Sequence, residues 1–133
     1  MSIYDLRNGL ATNIGTISGL RTSVDIPDNP NPPVAVISIN SVNYDQAFGG
    51  GLVEYNFTVT VIASRASERW AQRRLDAYTS TGSDSVKEAI ESDKTLGGSA
   101  FDVRVTEMSN IGTVSLGEVT YLAADFAVVV YSD

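Results

Sequence analysis

The sequence contains no cysteine and no histidine. Without cysteine there is no disulfide framework, no thiolate nucleophile and no zinc knuckle. Without histidine, the side chain best suited to proton transfer near neutral pH is missing. Metal or acid–base chemistry would have to rest on carboxylates, lysine, tyrosine and serine alone. The chain is therefore read as a non-enzyme with no cofactor and no metal. Long hydrophobic runs are lacking too: the longest, Ala123 to Tyr131, is interrupted by Asp125 and falls short of the ~20 residues a membrane span needs. No membrane contact is expected. The opening Met1-Ser2-Ile3-Tyr4-Asp5 has no basic region leading into an apolar stretch, so cytoplasmic assembly without a signal peptide is expected. Proline is scarce and confined. All four prolines fall between Pro27 and Pro33, where fixed φ and missing N–H donors predict an extended connector.

What is present describes a folded domain. The 133 residues fit one domain spanning 1–133, large enough to bury roughly two-thirds of the surface its unfolded chain exposes. Hydrophobic residues make up 43% and charged residues 19%, which excludes a disordered chain. The formal charge is −7, which argues against a general nucleic-acid-binding surface. The charge is uneven, however. Arg65, Arg69, Arg73 and Arg74 lie close together against the single acid Glu68, a local +3 that leaves −10 for the remainder.

Ile3, Leu6, Leu10, Ile14 and Ile17 recur at spacings of three and four and predict an N-terminal helix, opened by Ser2 and stopped at Gly19. A short strand is expected from Leu20 to Ile26, and another from Val34 to Ile39. Residues Asn40 to Gly51 read as a polar loop. From Leu52 to Ala63 the apolar face Val53, Tyr55, Phe57, Val59 and Val61 alternates with Glu54, Asn56, Thr58 and Thr60, the pattern of a strand with one covered side. A second helix is expected from Ser67, with Trp70, Ala71, Leu75 and Tyr78 inward. A short third helix should run from about Asp84 to Glu91, with Val86, Ala89 and Ile90 inward and Leu96-Gly97-Gly98 as its end. Two strands follow, Phe101 to Thr106 and Val119 to Tyr131, with Gly112 and Gly117 bracketing a loop between them. The order predicts an α+β domain: an antiparallel or mixed sheet with helices packed on one face.

No phosphate-binding loop is present, since the Gly49-Gly50-Gly51 and Gly97-Gly98 runs lack a following Lys-Ser/Thr. Asp84, Glu88 and Glu91 have helical spacing and read as a solvated helix face. Arg65, Arg69 and Arg73 repeat every four residues along the second helix and the segment leading into it. They suit a solvated face, or a subunit interface in which guanidinium forks meet a neighbour's carboxylates. A DNA-contacting stripe is disfavoured by the acidic remainder. The loop Ser41 to Gly51 carries Tyr44, Asp45 and Phe48. It reads either as a partner-docking loop with aromatic anchors or as a hairpin tip folded onto its own sheet.

The run Ser85-Val86-Lys87-Glu88-Ala89-Ile90-Glu91 leads through Leu96-Gly97-Gly98 to the strand Phe101-Asp102-Val103-Arg104-Val105. A long strand that begins Tyr121-Leu122-Ala123-Ala124 closes the pattern. With the N-terminal helix, the Pro-rich connector and the strand ending Ala63-Ser64-Arg65, it resembles the tail terminator proteins of long-tailed bacteriophages over nearly the whole chain. The resemblance implies a virion structural protein assembled in the host cytoplasm as a hexameric ring at the head-proximal end of the tail. There it would stop growth of the tail tube protein and join the tail to a neck or head-completion protein, while DNA passes through without sequence-specific binding. Another neck, connector or tube protein is the alternative reading, and a carboxylate-based metal enzyme a distant one.

Overall fold

The computed structural model describes residues 3–17, 20–23, 33–44, 52–65, 69, 71–80, 85–98, 100–116 and 119–132. Helix α1, Ile3–Ile14, buries Leu6, Leu10 and Ile14 along the predicted stripe. Strand β1, Arg21–Ser23, lies parallel to β2, Val34–Asn43. The remaining pairings are antiparallel: β2 with β3, Val53–Arg65, then β3 with β5, Val119–Ser132, and β5 with β4, Asp102–Leu116. Sheet order is β1-β2-β3-β5-β4. Helices α2, Ala71–Thr79, and α3, Val86–Ile90, stand between β3 and β4 in the chain. A tight turn, Leu96–Gly98, precedes β4. The result is one small domain with a five-stranded mixed sheet.

The core follows from the alternation in β3. Tyr55, Phe57, Val59 and Val61 join Ala124, Phe126, Val128 and Val130 of β5 and Ala35 and Ile37 of β2. Leu6, Leu10 and Ile14 of α1, Leu75 and Tyr78 of α2, and Val86, Ala89 and Ile90 of α3 belong to the same cluster. All three helices therefore cover one face of the sheet. Each large side chain buried there contributes roughly 1.5–3 kcal/mol relative to exposure.

Two strands run further than the sequence predicts. β2 continues to Asn43, so Ser41–Asn43 pair with Asn56–Glu54 and do not belong to the connecting loop. A bulge at Asn40 shifts the phase of alternation there. β4 continues past Thr106 to Leu116, where the sequence predicts a loop, with extra residues at Thr106 and at Asn110–Ile111. Asn110 has φ 52° and Gly112 φ 152°. The expected loop after Gly112 is thus regularly paired strand as far as Leu116. The predicted caps Ser2 and Gly19, most of the Pro-rich connector, Ser67, Trp70 and Gly117 lie outside the described residues.

Two contacts fix the helical layer. Asn13, buried on the apolar stripe of α1, donates its amide to the carbonyls of Ile90, at 2.8 Å, and Asp93, at 3.0 Å. Asp93 in turn accepts from the Thr95 hydroxyl and from the backbone N–H groups of Thr95 and Gly97. These bonds hold its carboxyl below the ordinary value. They shape the turn that seats Leu96 against α1.

Candidate interaction surfaces

The helix-free face of the sheet is built from the residues that alternate with the core. In register across β3, β5 and β4 stand Glu54, Tyr131 and Asp102, then Asn56, Val129 and Arg104. Thr58, Ala127 and Glu107 form the next row, and Thr60, Asp125 and Ser109 the one after it. Four carboxylates stand against one guanidinium in these rows, a local −3. The polar groups are tied together. Glu54 accepts from the amides of Asn43 and Asn56, both at 3.1 Å. Asp125 accepts from the Thr60 hydroxyl at 2.6 Å and the Asn110 amide at 2.9 Å. Asn110 reaches Asp125 from the bulge in β4, so the left-handed backbone there aims a side chain across the sheet. One end of this face differs: Val34, Ile62, Tyr121 and Ala123 form a second, smaller buried cluster.

The three arginines do not share one helix face. Arg65 is the exposed last residue of β3, in register with Tyr121. Arg69 is exposed in a turn, and only Arg73 lies within α2, which begins at Ala71. The four-residue spacing crosses a strand end, a turn and a helix. Of the residues read as a candidate docking loop, Tyr44 directly follows β2 and is 72% exposed. Asp45 and Phe48 lie outside the described residues.

A groove that the sequence does not reveal runs along β4, at the edge of the described sheet. Val105, Met108 and Phe126 supply apolar side chains to a hollow of about 220 Å³, with Thr79, Ser80, Lys87, Thr106 and Glu107 as its remaining lining. Sharing Lys87, Val105 and Thr106 with it is a second hollow of about 420 Å³, lined also by Glu91, Lys94 and Arg104. Glu91 is not simply a solvated residue of α3's outer face. Its Oε2 accepts from the backbone N–H of Val105 at 3.0 Å, and its Oε1 takes the Lys87 ammonium at 2.6 Å. Asp84, which shares its helical spacing, lies outside the described residues.

Burial pushes the Glu91 carboxyl up. The bonds from Lys87 and Val105, with the charges of Lys87 and Lys94, outweigh it and leave the group below its ordinary value. A depressed folded pKa contributes stability that is present above the unfolded value and lost as pH falls through the folded one. Acidification below about pH 4 is therefore expected to release the Val105 amide, seen as a lower protection factor against hydrogen exchange at that position. Glu91→Gln should remove that pH dependence, and an unchanged titration would count against the contact.

Among the described residues, no group of three or more acidic, His or Cys side chains is placed to hold a metal ion. Among them also, no helix is long and apolar enough to cross a membrane. The chain matches no protein-family model and no curated protein sequence.

Proposed function

We propose that the chain is a phage tail terminator subunit: a structural protein that forms a ring, caps the head-proximal end of the tail tube and joins it to the neck. The observation that carries this reading is the helix-free sheet face. It holds hydroxyls, amides and a net acidic charge in place of an apolar surface awaiting cover. A face of this kind suits a water-filled channel through which DNA moves, because fixed acids repel phosphates and a basic lining would grip them. The α+β architecture, with helices on the other face, is compatible with the terminator fold that the sequence resembles. Head-to-tail contacts between identical subunits close into a ring when their rotation allows it. Arg65, Arg69 and Arg73 from one copy against acids of the next remain the proposed charge pairing, now distributed over a strand end, a turn and a helix.

The test is the native mass and imaged shape of the purified protein, alone and with tail tubes. Closed rings, seated at one end of the tubes, are the expected result. A chain that stays monomeric at high concentration and ignores tubes would overturn the reading, and rings found along the tube or at the neck alone would favour another component of the particle.

A further inference from the structure

We infer that the groove along β4 is a strand-docking site for an extended segment of a second copy of this chain, one that presents an apolar side chain beside a carboxylate. The inference rests on the ring reading and names one half of the contact between neighbours.

Three features converge on it. First, β4 has fifteen residues and stands at the end of the strand order, paired only with β5 in the described sheet. Edge strands offer backbone donors and acceptors to an incoming strand, main-chain bonds giving affinity and side-chain pockets giving specificity. Second, the backbone there is shown to take an outside acceptor. Glu91 Oε2 occupies the Val105 N–H at 3.0 Å, and the carbonyl of an added strand would displace it there. Third, the two hollows pose different demands. The one with Val105, Met108 and Phe126 suits an apolar side chain. Its neighbour has Lys87, Lys94 and Arg104 around Glu91, with Glu91 taking the Lys87 ammonium at 2.6 Å and Asp102 lying 3.8 Å from Arg104. On a chain of net charge −7, those three cations are a third of its nine basic residues, and a second copy brings the complementary acidic excess.

The bulges at Thr106 and Asn110–Ile111 limit the docking stretch. They interrupt the ladder at Thr106 and stop it before Asn110, so the incoming segment is short and one-sided, and β4 does not invite open-ended sheet growth.

The experiment compares the wild-type chain with Lys94→Glu/Arg104→Glu, both sites being exposed and away from the core. Self-association is read by sedimentation at low and high salt, and folding by circular dichroism. Hydrogen exchange across 103–108 is read in the wild type at low and high protein concentration. The double variant should fold normally and raise the dissociation constant at least tenfold at low salt, with the difference shrinking at high salt. Amides across 103–108 in the wild type should gain protection as rings form. Wild-type rings with the variant associating equally well, or with no added protection at 103–108, would overturn this inference and leave the ring reading standing. A monomeric wild type would overturn both.

Discussion

Replacing Asn13 with a carboxylate, as in Asn13→Asp, is expected to lower stability at neutral pH by about 3–5 kcal/mol, the scale of an uncompensated buried charge. The Asn13 amide is a donor to two carbonyls, those of Ile90 and Asp93, in a position 5% exposed. A carboxylate of the same shape would set one negative oxygen, in place of the amide nitrogen, against both acceptors and donate nothing. At roughly 3–5 °C of midpoint per kcal/mol for a domain of this size, thermal unfolding should shift by about ten degrees or more. The effect carries a pH signature. Burial and the facing carbonyls raise the folded pKa of the introduced carboxyl above its unfolded value near 3.9. The ionic penalty is therefore absent below the unfolded pKa and grows as pH rises toward the folded one, above which the group ionises in place. Asn13→Ala, which leaves the carbonyls unpaired but adds no charge, should cost only about 1–3 kcal/mol and show no such pH dependence. An Asn13→Asp chain with the wild-type midpoint at neutral pH would show that the amide does not bind α1 to the end of α3.

The second large effect concerns Gly9. In an isolated helix, Gly→Ala gains about 1 kcal/mol. Here a Cβ on Gly9 would stand 2.6 Å from Cβ of Leu96 and 3.0 Å from its carbonyl oxygen. Leu96 cannot easily withdraw. It is buried, and the turn holding it has φ 50° at Leu96, 73° at Gly97 and 98° at Gly98. Gly9→Ala is therefore expected to destabilise by about 1–3 kcal/mol, the range for an overfilled core, reversing the sign of its helix propensity. Leu96→Ala alone should cost about 2–5 kcal/mol through the cavity it leaves. Because a Cβ remains at position 96, the double variant should recover only part of the clash. Gly9→Ala/Leu96→Gly would recover more, and chemical denaturation of these variants, of Leu96→Gly alone and of the wild type measures the coupling. Stabilisation by Gly9→Ala would mean that α1 and the turn do not meet as described.

Where residue pattern and environment agree, the sequence is legible. The alternation of β3 and the stripe of α1 mark the core because each buries one regular face. β4 shows only its first part, up to Thr106, for a physical reason. Val103 and Val105 keep strand phase, but the extra residue Thr106 moves the next core-facing side chain to Met108, and Asn110–Ile111 breaks the phase again. An edge strand with one polar face and two bulges has no sustained period to detect. The polar end of β2 is hidden the same way by the bulge at Asn40. For the arginines, a four-residue spacing looks helical although Arg65 still belongs to a strand. The groove depends on Glu91 meeting Val105 across 14 residues, which no local spacing encodes. Asn13 does leave a signal: a lone amide on an apolar stripe has to find buried partners.

The strand order has a further consequence, for the nascent chain. β5 sits between β3 and β4 yet is synthesised after both. Its contacts reach far back along the chain, Tyr131 pairing with Glu54. Until β5 emerges, β3 lacks its neighbour on that side and β4 has no strand to lie against, so the sheet exists only as separate pieces. Such distant pairings slow folding toward the millisecond-to-second range. During that interval the apolar side chains of β3 stay open to unwanted association. A ribosome that stops just before Val119 would leave a chain with α1 to α3 and β1 to β4 but without the strand that joins β4 to β3.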